Sequence, residues 1–176
     1  IGVEKISVPE GVDIFAFIRE LRSTEQYEFV EPILIRELDV RVLNAGESAH
    51  SISQSSRASV ADPYGYLQWH METMQVNQMG SDAQGNSIIV AVLDTGVSTL
   101  GPDRPVNIAQ GYDFTENDFH PSDIQGHGTH VAGTIAQATN NNLGVRGIAP
   151  ECTILPVKVL GDDGFGLTSW IADGII

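Results

Sequence analysis

An aspartate and a histidine, 33 positions apart, are the residues best placed to do chemistry. Asp94 ends the apolar run Ile88-Ile89-Val90-Ala91-Val92-Leu93 and is followed by Thr95-Gly96. His127 lies in Gly126-His127-Gly128-Thr129-His130-Val131-Ala132-Gly133. A continuous β-branched run predicts a strand buried on both faces of a parallel sheet. A carboxylate at its C-terminal end then sits on the edge where open α/β sheets bind ligands. His127 is expected at the start of a helix, with glycines on both sides giving close access. The helix dipole there disfavours an imidazolium, and a nearby buried carboxylate offsets that. The pair suits proton transfer: His127 takes and returns a proton while Asp94 holds its ring and tautomer. These are two thirds of a hydrolytic triad. No serine occupies a nucleophile's setting, and the densest cluster, Ser51 to Ser59, falls in a poorly periodic stretch.

Each segment has a competing reading. A hydrophobic run ending in Asp-Thr-Gly also occurs in aspartic proteases, which need two such aspartates, and there is one here. His127 and His130 are spaced to share a metal, but the Glu base expected between them is absent. His130 is expected to be structural, packed on its helix. The single cysteine, Cys152, forms no internal disulfide and no Cys metal set. It opens the apolar stretch Cys152–Leu160, where a buried, inert thiol is expected because nothing nearby would activate it.

The elements that must position the pair follow the α/β pattern from Ala61 onward. Ile88–Leu93 and Thr153–Leu160 are predicted strands, and His127–Ala138 and Ser169–Ile176 predicted helices. Residues 1–43 form a smaller β-α-β unit: strand character at Val3–Val8, at Tyr27–Val30 and at Ile33–Ile35, with Ile14, Phe17, Ile18 and Leu21 on one helical face between. Residues 44–60 are Ser-rich and are expected to be a linker. The N-terminus, Ile1-Gly2-Val3-Glu4-Lys5, carries no signal-peptide pattern and is expected to be a cut within a longer chain. No apolar run approaches the roughly 20 residues of a membrane span. A net charge of -14 argues against nucleic acid or an anionic membrane as partner. From Ala61 on there are 13 acids against Arg104, Arg146 and Lys158, an excess met by a solvated surface or by bound cations.

Four blocks in order carry a family resemblance: Val92-Leu93-Asp94-Thr95-Gly96-Val97, His127-Gly128-Thr129-His130-Val131-Ala132-Gly133-Thr134, Gly144-Val145-Arg146-Gly147-Ile148-Ala149-Pro150 and Val157-Lys158-Val159-Leu160-Gly161. Residues 62–176 resemble the first part of a subtilisin-family serine protease, nearest in pattern to thermitase-like members. The resemblance implies a parallel sheet flanked by helices, with Asp94 as the triad acid and His127 as general base. The family's Gly-Thr-Ser-Met-Ala nucleophile turn and oxyanion Asn would fall after residue 176, so this chain alone is expected to be inactive. The alternative is a truncated pseudoprotease or peptide-binding module, disfavoured by the intact Asp94 and His127.

The same resemblance implies the rest of the site. Gly164, Phe165 and Gly166 would pair with an extended polypeptide substrate, and Leu160 would line the neighbouring pockets. Thr168 stands where many subtilisins have an aromatic residue, implying a roomier distal pocket. Structural calcium is implied at two places. One joins Asp62 and Asp103 to the Asn141 side chain and the carbonyls of Thr139, Leu143 and Val145. The other uses Asp113 and Asp118, in a loop whose plain alternative is a solvated acidic turn. Residues 1–43 look like the C-terminal part of an inhibitory, chaperone-like propeptide, with a maturation cut somewhere in 36–60; an unrelated small domain is the alternative. The expected partners are polypeptide substrates, the chain's own propeptide and the missing C-terminal part of the peptidase domain. The expected location is extracellular.

Overall fold

A computed structural model describes residues 4–24, 26–27, 29–37, 62–80 and 83–176. The chain divides into two compact units, residues 1–34 and 35–176. The expected linker at 44–60 lies outside the described residues.

In the first unit, helix α1 (Ile14–Ser23) begins where Asp13 accepts hydrogen bonds from the amides of Phe15 and Ala16 at 3.3 and 3.1 Å, the usual service of an N-cap carboxylate. Ile18 is its buried residue. Arg22, in the last turn, donates to the Val30 carbonyl through Nε at 3.1 Å and Nη2 at 2.7 Å. The β-α-β expectation fails here. The described parts of Val3–Val8 and Tyr27–Val30 join no ladder, and of Ile33–Ile35 only Ile35 enters a strand, because strand character in a sequence does not supply a partner strand.

The second unit is built on strands β2 (Ile89–Asp94) and β5 (Thr153–Lys158), parallel and in register from Ile89↔Thr153 to Asp94↔Lys158. Two short strands, β3 (Asn107–Ile108) and β4 (Tyr112–Asp113), pair in parallel with successive parts of β5 on its other side. The period of two sorts the side chains. Val90, Val92 and Ile154 pack with Ala132 and Ala136 of helix α3 (His127–Ala136). Leu93, Leu155 and Val157 pack on the other face with Trp170 and Ile171 of helix α4 (Thr168–Ile175). Helices therefore cover both faces of a parallel sheet, as expected for this class. Cys152 is fully buried in the first cluster, and burial pushes its thiol up from the ordinary range.

Pro156 stands inside the central strand, where a missing N–H would ordinarily break a ladder. Here it does not. Ala109 and Phe114 donate to the carbonyls of Ile154 and Lys158 at 2.8 Å each, so the even-numbered residues of β5 direct their main chain toward β3 and β4. The lost donor of Pro156 faces the step between those two strands. Gly111 sits against the Pro156 carbonyl so closely that any Cβ would overlap it.

A last pairing extends the unit. Strand β1 (Ile35–Glu37) runs antiparallel to β6 (Phe165–Leu167), matching Ile35↔Leu167, Arg36↔Gly166 and Glu37↔Phe165. Segment 62–80 carries only a short helix, α2 (Trp69–Thr73), and two single 3-10 turns. Among the described residues, no helix is long and apolar enough to cross a membrane.

Burial sets the energetic scale along the two main strands. Ile154→Ala should lower unfolding stability by about 2–5 kcal/mol. Ile89→Ala, at an exposed position of β2, should change it by less than about 0.5 kcal/mol. Urea midpoints of the two variants check the contrast.

Candidate active site

The parallel ladder delivers Asp94 to the end of β2, where it is almost fully buried. Its main-chain oxygen accepts from the Val159 and Leu160 amides at 2.9 and 3.2 Å. Its carboxylate accepts the Thr95 N–H at 2.7 Å. His127, the first residue of α3, brings Nδ1 within 2.8 and 2.9 Å of the two Asp94 oxygens. With Nδ1 so engaged, the donating tautomer at that nitrogen leaves Nε2 as the proton acceptor. The imidazole is one-third exposed, against 11% for the Asp94 side chain. A buried acid thus holds a base that reaches solvent, which is the arrangement general-base catalysis requires.

Close approach of the two elements depends on glycine. An added Cβ on Gly128 would overlap the Gly96 carbonyl and stand 3.1 Å from the Asp94 Cβ. Gly96 itself has φ 103°, and an added Cβ would lie 2.6 Å from the Pro121 carbonyl oxygen. Lys158, opposite Asp94 in the ladder, is buried to 3% exposure. Its Nζ donates to the Thr95 carbonyl at 2.6 Å and to Asp162 Oδ1 at 2.8 Å, so its charge meets an acceptor on each side. Sequence reasoning assigned no role to Lys158, Thr95 or Asp123. Asp123 accepts hydrogen bonds from Thr95, Gly126 and Thr129.

His130 departs from expectation: it is exposed rather than packed. The buried face of α3 is Gly128, Ala132 and Ala136, at four-residue spacing. Position 130, at about 100° per residue, points about 160° away from the centre of that face.

The expected substrate edge is a strand. Gly164 turns the chain at φ 82°, its N–H donating to the Gly161 carbonyl at 2.9 Å. Gly161 N–H in turn donates to the Phe165 carbonyl at 2.7 Å. Gly166 lies flat on the Leu160 side chain, 2.6 Å from where a Cβ would be. Leu160 is buried beneath it with Val157 and Val159. Residues 35–37 of the same chain lie along β6. Beside β6 opens a cavity of about 650 Å³, lined by Ile35, Asp113, Glu116, His120, Asp162 and Asp163 among others.

The first expected calcium set converges from three separate segments. Asp62 accepts the amides of Asn140 and Asn141 at 2.9 and 3.0 Å. Asp103 accepts from Asn141 Nδ2 at 3.0 Å and its carboxylate abuts Gly144. Asn140, Asn142 and Gly144 of this loop have positive φ, and Asn141 Oδ1 accepts the Leu143 amide at 2.8 Å. Asp62, Asp103 and Asn141 are thus joined by hydrogen bonds, and their side-chain oxygens are of the kind a hard cation such as calcium takes. Asp113 and Asp118 are placed differently. Asp113 Oδ1 accepts from Thr115 N and Oγ1 at 2.7 Å each and from Glu116 N at 3.1 Å. Asp118 Oδ1 accepts the His120 amide at 2.7 Å, and their main chains are paired. These two carboxylates close a turn by themselves. No group of three or more His, Cys, Asp or Glu among the described residues is arranged to hold a metal.

Comparison with known proteins identifies the family. Residues 85–176 match the subtilase family. Thermitase of Thermoactinomyces vulgaris is 40% identical over 115 residues, 65% of this chain and 41% of that protein. M-protease of Shouchella clausii is 38% identical over 176 residues, 98% of this chain and 45% of its own length. The major intracellular serine protease of Bacillus subtilis is 50% identical over 97 residues, 52% of this chain and 30% of its own. A protease structure from Pseudoalteromonas arctica superposes with a TM-score of 0.58 at 35% identity, covering 68% of this chain and 44% of that one. The chain thus spans less than half the length of these relatives. With a family match over more than half of its residues and the Asp94–His127 pair in place, the chain belongs to the subtilase family.

Proposed function

We propose that this chain is the N-terminal part of a calcium-stabilised serine endopeptidase precursor that hydrolyses peptide bonds through an Asp-His-Ser triad. The observation that carries the reading is the His127 Nδ1 contact to both oxygens of buried Asp94. In the complete enzyme His127 Nε2 would take the proton of a serine hydroxyl and return it to the leaving amine. Asp94 would stabilise the imidazolium formed between these steps. The serine and the oxyanion asparagine would come from sequence beyond this chain. Mixed with a chromogenic peptide, the 176-residue chain should give no serine-hydrolase turnover above background; saturable turnover that a serine-directed inhibitor abolishes would contradict this.

Substrate recognition would be main-chain pairing on β6, with Gly164, Phe165 and Gly166 as the edge and Leu160 beneath it. Supporting this, residues 35–37 already form such a strand on that edge. We take residues 1–43 as the end of a propeptide that inhibits by this product-like pairing. Residues 44–60 would be the linker containing the maturation site, and 61–176 the start of the peptidase domain. The M-protease similarity, which runs through nearly the whole chain, supports one precursor architecture. Arg36→Pro removes a main-chain donor from the inhibitory strand. It should raise hydrogen exchange of the β6 amides at least about tenfold while leaving Ile154 unchanged.

Calcium would bind Asp62, Asp103, the Asn141 side chain and the carbonyls of Thr139, Leu143 and Val145, tying segment 62–80 to the loop after α3. Asp113 and Asp118 form the second, weaker candidate, where two carboxylates of a single turn would hold the ion. An acidic, calcium-loaded peptidase suits an extracellular setting, where we place the complete protein. At calcium 100-fold above Kd, linkage contributes about 2.7 kcal/mol, or about 5–10 °C in a domain of this size. Chelation should lower Tm by that amount, and Asp103→Ala should abolish the difference.

A further inference from the structure

Helix α3 has no side chain at its own N-cap. That residue is Gly126, at φ 103°, and it makes no capping bond. The first amides of the helix are nevertheless all satisfied, by three residues outside it. Gln125 Oε1 accepts from His127 N at 2.9 Å, Thr95 Oγ1 from Gly128 N at 2.9 Å, and Asp123 Oδ2 from Thr129 N at 2.9 Å. The next amide, that of His130, bonds to the Gly126 carbonyl within the helix. An ordinary cap would serve two of these amides from one side chain. Here the work is spread over three residues, two of which, Thr95 and Asp123, also tie the helix to the chain just after β2.

Asp123 is the junction of this arrangement. Its Oδ1 accepts the Thr95 hydroxyl at 2.9 Å and the Gly126 amide at 2.8 Å. Its Oδ2 accepts both the amide and the hydroxyl of Thr129. Thr95 directly follows Asp94 and is fully buried. Thr129 lies two residues after His127, and its hydroxyl also accepts the Ser98 amide at 2.9 Å. Each threonine both donates to Asp123 and accepts an amide from the opposite element. The carboxylate therefore closes a ring running from the end of β2, through Thr95, to the first turn of α3 and back through Ser98.

We propose that Asp123 is a positioning residue for the Asp94–His127 pair: its carboxylate locks the residue after Asp94 to the first turn of α3 and thereby fixes the contact between Nδ1 and the Asp94 oxygens. This rests on Asp94 and His127 being the acid–base pair. Three features support it. Asp123 touches neither Asp94 nor His127 directly, yet bonds to chain neighbours of both. Its four donors fit only an ionised carboxylate, since an amide or a protonated acid would turn a donor toward one of them. Burial alone would push the Asp123 carboxyl up, but the bonds from Thr129, Gly126 and Thr95 outweigh it and hold the group below its ordinary range. The ring is thus kept in its charged, four-acceptor form across neutral pH.

The test uses the 176-residue chain and proton NMR of the His127 Nδ1–H, so it needs no nucleophile. That proton is the far-downfield imidazole resonance that Asp94→Ala abolishes. Asp123→Asn keeps the volume and removes one acceptor. It should move the resonance upfield and speed its exchange with water about tenfold or more, as expected for loss of a charge-assisted bond. Thr129→Val, which deletes a donor to the same carboxylate, should shift it in the same direction. Ile154→Val, a core change distant from the pair that matches any loss of global stability, should leave both signals in place. The proposal is overturned if Asp123→Asn and Thr129→Val leave the resonance as in wild type, or if Ile154→Val moves it equally. A wild-type spectrum with no resonance sensitive to Asp94→Ala would be a different failure, removing the acid–base reading and this proposal with it.

Discussion

The parallel pairing of β2 with β5 is the constraint on which both halves of the site depend. It places Asp94 beside Lys158 at the last rung, and the chain beyond each strand end is fixed from there. The Asp94 carbonyl takes two amides of the following β5 residues, and Lys158 Nζ reaches across to the Thr95 carbonyl. β6 is then held on the continuation of β5 through Gly166 and Leu160. A one-residue slip of register would exchange the two core faces. It would also separate the carboxylate from the helix that carries His127.

The second constraint is proximity without side-chain bulk. Gly96, Gly128 and Gly166 each occupy a place where a Cβ would meet main chain or a packed side chain. The polar cost of such close packing is met locally. The buried lysine has two acceptors, and buried Asp94 has the Thr95 amide and the imidazole. Burying these groups without partners would cost several kcal/mol each. This corner of the fold is therefore an interdependent network, in which loss of one member exposes another.

Much of this was legible in the sequence where the signal is long and local. The β-branched run of β2, the small-residue spacing of α3 and the apolar run of β5 announce themselves through periodicity, and the glycine-flanked histidine marks a helix start. Other parts carry no such signal. β1 and β6 have three residues each, and β6 is built around a glycine, so their pairing follows from tertiary placement. Helical spacing identified α1, but local strand propensity in the described part of Val3–Val8 found no partner. The role of Asp123 was hidden because its partner Thr95 lies 28 residues away. The available clue was an acid three residues before a glycine that has no side chain with which to cap its helix. His130 was expected to pack on its helix, but the buried face is set by Gly128, Ala132 and Ala136 and leaves it exposed.

The strand at residues 35–37 has a consequence for thermodynamics rather than geometry. It pairs with β6 as part of the same covalent chain, so its docking is an intramolecular event whose strength does not depend on the concentration of the protein. A three-residue strand held mainly by main-chain bonds would bind feebly if supplied as a separate peptide. Covalent continuity therefore lets a pairing too weak to persist between separate molecules be a stable part of this unit.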